Sequence, residues 1–213
     1  SVSPETTAAA VARTMKTGRF DNITLIFGGL EKNPGFSWMP PPLLHGIQEV
    51  VRERNLHMQV AEVGDRDLTD DRWIPRALRE WASDGLLINY IAEQPPELAE
   101  IVERHQIPAI MINVKRDHDA VYPDDVAAGR LATDHLLKLG HRRVAFIGRT
   151  PCQAGHYSEA DRRTGYEAAM ADAGLTPVVV RLENPQVKEA PFTAPRQWLE
   201  RCGDVTAVIV DKP

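Results

Sequence analysis

The residues able to do chemistry in this chain follow its apolar runs, and their chemistry is that of recognition. Asn33, Phe36 and Trp38 come after ITLIFGG (23–29). Asn89 and Tyr90 close GLLINYI (85–91), and Asn113 closes PAIMINV (108–114), with Arg116 just beyond. Asp124 precedes one helix-like stretch, while His156, Tyr157, Ser158 and Arg162 gather at the start of another. Amides, a guanidinium, hydroxyls and a carboxylate offer hydrogen bonds. Aromatic faces suit the apolar side of a sugar ring or a planar base.

Bond-making chemistry finds no such support. There is no phosphate-cradling glycine loop of the P-loop kind, no nucleophile elbow and no HExxH. The carboxylate pairs Asp70-Asp71 and Asp124-Asp125 lie in loops, where carboxylates commonly cap helices. The sequence thus reads as a non-enzyme with no cofactor and no metal site. Each candidate also has a structural alternative. Trp38 can cover the helix that follows it, and Asp124 can cap the next helix. Asn89 and Asn113 can be turn residues. Arg162 can be a surface ion pair.

These positions take their meaning from the elements that place them. Apolar strand-like runs at 23–29, 57–63, 85–91 and 108–114 alternate with helical stretches at 43–55, 72–84 and 95–106. Pro75 fits only the first turn of its helix, and prolines open the helix at 95. The loop KRDHDAVYP (115–123) interrupts the rhythm. It resumes with helix 125–139, strand 143–148, helix 159–173, strand 177–182, a helix near 192–201 and strand 205–210. Alternation of this kind predicts an α/β protein with parallel, doubly wound sheets. A boundary near 122–124 predicts two units of similar design. In such sheets ligands sit beyond the carboxyl ends of the strands, which is where the candidates above fall.

The bulk numbers agree. The chain has 213 residues, 43% apolar and 26% charged, enough for a sizeable core. A net charge of −5 argues against a body that binds nucleic acid by charge alone. Cys152 and Cys202 have no metal-type spacing and fit a reducing compartment. No apolar run approaches membrane-spanning length.

One stretch is more specific. DDVAAGRLATDHLLKLGHRRVAFIG (124–148) joins an amphipathic helix, stopped by Gly140, to an apolar strand. It resembles the signature of the LacI/GalR family of bacterial transcription regulators, in Asp124-Asp125, Gly129, Ala132, His135-Leu136, Gly140-His141-Arg142-Arg143 and Val144 to Ile147. The family has Asp-Asn where this chain has Asp124-Asp125. KNPGFSW (32–38), DGLLI (84–88), ADRRTGYEAAMADAGL (160–175, with Arg162, Gly165 and Tyr166 in place) and TAVIV (206–210) resemble further family motifs in the right order. The Gly-His-Arg-Arg joint reads as structural.

The resemblance implies two Rossmann-like lobes of the type I periplasmic-binding-protein kind, each a parallel sheet flanked by helices. The N-terminal lobe spans 21–122 and the C-terminal lobe 123–213, the latter expected to be incomplete. A small effector, a sugar or related metabolite, is expected between them, with Arg162 and Asp124 its foremost contacts. Residues 1–20 are expected to be a linker, because AVARTMKTGR (10–19) resembles the family's hinge helix. Met15 stands where the family wedges a Leu into the minor groove, and Arg13, Lys16 and Arg19 would hold phosphates. The implied protein is a cytoplasmic, homodimeric repressor whose helix-turn-helix reader precedes residue 1. The helix around Leu43 to Arg54 is a candidate dimer contact. The rival expectation is a transport-linked solute-binding protein of the same fold.

Overall fold

A computed structural model of the chain describes residues 18–28, 39–90, 94–149, 156–182 and 203–210. The chain divides into two compact units, Ser1–Tyr122 and Pro123–Pro213.

The first unit is built on β1 (Asn22–Gly28), β2 (His57–Glu62), β3 (Gly85–Tyr90), β4 (Ala109–Ile112) and β5 (Ala120–Val121). All pairings are parallel, in the order β2-β1-β3-β4-β5. Parallel neighbours need crossovers, supplied here by α1 (Pro41–Glu53), α2 (Asp65–Leu68) with α3 (Trp73–Glu80), and α4 (Pro96–Arg104). Alternation along the strands sorts the core into two faces. Ile26, Leu86, Ile88, Tyr90 and Met111 pack with Leu68, Ile74, Leu98 and Ile101 of α2, α3 and α4. Leu25, Phe27 and Ile112 pack on the other face with Leu44 and Ile47 of α1.

The second unit has β6 (Val144–Arg149) between β7 (Val178–Leu182) and β8 (Ala207–Val210), again all parallel. Its helices are α5 (Asp125–Lys138) and α6 (Tyr157–Asp172). Val144, Phe146, Tyr166 and Met170 form the core between these helices and the sheet, with Leu136, Leu137 and Ile209 packed against it. Central β6 is buried through Gly148, as a strand covered on both faces should be.

The parallel α/β expectation is met. Gly140 is in the left-handed region at φ 93, ending the helix as expected. The joint beyond it is structural. His141 Nδ1 lies 3.0 Å from Thr206 Oγ1, Arg142 donates to the carbonyls of Leu137 and His141, and Arg143 pairs with Asp204. Three details differ. The stretch 115–123 contains β5, whose two residues are too short to show a period; β4 and its flank donate to it, Met111 N–H to Asp119 O and Asn113 N–H to Val121 O. The one-turn α2 has only Leu68 as an apolar anchor, fully buried. The helix expected over 72–84 stops at Glu80, because Ala82 turns to φ 48 and Asp84 N–H bonds Asn22 O instead. The helix expected near 192–201 lies outside the described residues.

Candidate functional site

In the second unit the site is built by two helices in backbone contact. A Cβ on Gly129 of α5 would come within 2.0 Å of Arg162 O, and one on Gly165 of α6 within 2.0 Å of Val126 O. No other residue type fits either place without moving a helix. The close crossing sets the first turn of α6 against the start of α5. Arg162 Nε donates to Asp125 Oδ1 at 2.8 Å. Asp125 is 2% exposed, and its Oδ2 has no hydrogen-bond partner among the described residues. The Arg162 side chain keeps 30% of its surface. This is not the surface ion pair of the structural alternative; it is anchored from a buried carboxylate.

Asp124 itself caps α5, its Oδ1 accepting the Ala127 N–H at 2.9 Å. His156 caps α6, with its Nδ1 2.8 Å from the Oγ of buried Ser158, and its ring lies 4.3 Å from that of Tyr157. Tyr166, fully buried, fastens α6 to the sheet: its hydroxyl donates to Val144 O at 2.8 Å and accepts the Val178 N–H at 2.7 Å. Burial pushes its pKa up, against the pull of the Val178 N–H, with Glu167 adding to the rise.

In the first unit the candidates meet at the carboxyl ends of β3 and β4. Asn89 is 4% exposed, and its Nδ2 has no hydrogen-bond partner among the described residues. A buried amide donor left so is unusual and marks a place that a ligand or water can satisfy. Asn113 takes φ 64, which Asn tolerates, and its Nδ2 donates to Tyr90 O at 2.9 Å. Arg116 pairs with Glu103 of α4. Tyr90 stands apart from the expected set: it is fully buried, packs over Gly28, and gives its hydroxyl to Asp65 Oδ1 at 2.6 Å. Its side chain serves the core.

Asn33, Phe36 and Trp38, and the basic residues Arg13, Lys16 and Met15's wedge position, lie outside the described residues. Arg19 is exposed, one residue before the Phe20 N–H that bonds Asp84 Oδ1 at 2.8 Å. In the remaining carboxylate pair, Asp70 accepts the Arg72 N–H, and Asp71 accepts from Arg104 and contacts His105 at 3.0 Å. The His105 contact, with Arg104, holds the Asp71 carboxyl below its usual range against the opposing effect of desolvation. Among the described residues no cluster of His, Cys, Asp and Glu can hold a metal, and no helix is long and apolar enough to cross a membrane. The partners Asp125, Glu103 and Asp65 were not among the expected ligand residues. Only Asp125 carried a signal, as the departure from Asp-Asn.

Two parallel-sheet units, with hydrogen-bonding side chains at the carboxyl ends of their strands and the Gly129–Arg162 crossing, define a protein of the two-unit α/β class. Comparison with known proteins makes this specific. Residues 37–210 match the family of periplasmic binding proteins and sugar binding domain of LacI family, and the chain belongs to that family. It is similar to the HTH-type transcriptional regulator MalR of Streptococcus pneumoniae, 31% identical over 147 residues, covering 68% of this chain and 42% of MalR. The maltose regulon regulatory protein MalI of Escherichia coli is 34% identical over 95 residues, 43% of this chain and 27% of MalI. The chain thus spans less than half the length of these relatives. In fold it is similar to a LacI-family transcriptional regulator from Rhizobium etli, with TM-score 0.66, 20% identity, and coverage of 91% of this chain and 69% of that one.

Proposed function

We propose that this chain is the effector-binding core of a LacI-type transcription regulator, acting as a repressor and holding a small sugar or related metabolite. The observation that carries the reading is the family match over 37–210. The names of MalR and MalI support regulation, and MalI's supports a sugar-linked signal. The effector contacts are Asn89, Asn113, Arg116, Ser158 and Arg162, with Asn33, Phe36 and Trp38 from the loop after β1. Asp124 contributes mainly by capping α5. The core has no enzymatic role, and the protein acts in the cytoplasm.

Operator DNA is bound by a helix-turn-helix reader in the whole protein, with the 10–19 stretch as its hinge. Effector binding shifts the population between DNA-competent and DNA-incompetent states, which requires unequal affinity for the two. The active form is a homodimer using α1. Supporting this, α1 buries no residue fully; Leu43 is 36% and Val50 50% exposed, and Val60 on edge strand β2 is 57% exposed.

The test is a thermal-shift screen of the chain against sugars, sugar acids, sugar phosphates, nucleosides and amino acids. A binder of the folded state raises Tm by mass action. A sugar-class hit abolished in Arg162→Ala is expected. A hit only among nucleosides or amino acids would overturn the sugar reading, and a hit untouched in Arg162→Ala would remove Arg162 from the site.

A further inference from the structure

Both arginines among the described effector contacts are already matched by carboxylates. Arg116 meets Glu103, whose side chain is 57% exposed, and Arg162 meets Asp125, which is 2% exposed. The first carboxylate can swing into solvent. The second cannot, because Asp125 opens α5 and the Gly129 contact fixes α5 against the backbone of Arg162 itself. Asp125 Oδ2 has no hydrogen-bond partner among the described residues, so the carboxylate's one hydrogen-bonding cation there is Arg162. It also stands where the family signature has Asn, a side chain of the same shape without the charge.

We propose that Asp125 sets the charge preference of the effector site: by neutralising Arg162 it makes the site select uncharged, polyhydroxylated sugars and reject sugar acids and sugar phosphates. The proposal rests on the reading of Arg162 as an effector contact. A guanidinium without a counter-ion in a partly buried place is a strong anion site, through charge-assisted and bidentate hydrogen bonds. With Asp125 fixed 2.8 Å from its Nε, that attraction is spent within the protein. An anionic ligand would then lose its hydration and meet a carboxylate behind the arginine. A sugar hydroxyl needs only a donor and carries no charge to desolvate, so it accepts from the same guanidinium at little cost.

The experiment uses the 213-residue chain, Asp125→Asn and Asp125→Ser, so that a folding failure of one variant leaves the other to decide. Calorimetry with glucose, maltose and cellobiose, against gluconate, maltobionate, cellobionate and glucose 6-phosphate, gives the neutral-to-anion ratio. In the native chain a neutral sugar is expected to bind about tenfold or more tighter than its charged counterpart, and the variants are expected to narrow or reverse that ratio. A second arm uses inorganic phosphate at ionic strength matched with sodium chloride. Phosphate is expected to raise the Tm of the Asp125 variants but not of the native chain, and the gain is expected to vanish when Arg162→Gln is added. Preference of the native chain for an anion, an equal change in neutral and anionic affinities, or a phosphate gain in the native chain that needs Arg162 overturns the proposal. If no sugar of either kind binds while phosphate still separates native chain from variants, the effector reading fails and the charge assignment of the pair stands.

Discussion

Gly46 lies inside α1 of the first unit, with nothing among the described residues within 4 Å of the Cβ it lacks; Gly165 lies inside α6 of the second, where that Cβ would meet Val126 O at 2.0 Å. The two units thus use the same residue in helices for different ends. In the first unit α1 rests on the sheet through the side chains of Leu44 and Ile47, so its backbone stands off and the glycine is merely tolerated. In the second, α5 and α6 touch backbone to backbone, and Gly129 and Gly165 are the condition of that contact. Helices joined through side chains can slide by small repacking. Helices joined through their backbones are fixed in register, because interiors do not yield to an added methyl group. The fixed pair is the one that carries Asp125 and Arg162.

Gly165→Ala puts the fixed helix pair to the hardest test. Its methyl must displace α5, and a loss of about 3 kcal/mol or more is expected in urea denaturation. A loss below about 1 kcal/mol would mean the crossing is looser than the contact implies. Tyr166→Phe tests how firmly α6 is tied to the strands. It removes the bonds to Val144 O and Val178 N–H from a fully buried site, with an expected cost of about 2 kcal/mol by the same measurement. An unchanged midpoint would show that the hydroxyl is not needed there. Gly46→Ala has the opposite sign and the smallest size. In open space at a helical position it is expected to stabilise by about 0.5–1 kcal/mol, seen as a higher urea midpoint with unchanged slope. Destabilisation there would place α1 in closer contact than its surroundings indicate.

Much of the fold was legible in the chain itself. VAFIG has no polar residue because β6 is covered on both faces, and the prolines at 41 and 96 mark where α1 and α4 begin. Gly140 announced its turn. What escaped was short or nonlocal. β5 and α2 are too brief to show a period, and β5 exists because β4 offers it a ladder. Tyr90 reads like Asn89 from its place at a strand end, yet successive residues point to opposite faces. The fold sends Tyr90 to Asp65 and leaves the Asn89 Nδ2 without a hydrogen-bond partner among the described residues.

The alternation of strands and helices, the family signature, and the residue types that stand after each strand are written locally in the chain. These follow from local periodicity, turn chemistry and composition, all of which act over a few residues. The order β2-β1-β3-β4-β5, the seating of α5 on α6, and the partners of the two arginines, Glu103 and Asp125, arise only from contacts between distant segments. Arg162 and Asp125 are 37 positions apart, and nothing local couples them. Their meeting depends on two absent side chains, at Gly129 and Gly165, that let separate helices close to backbone contact.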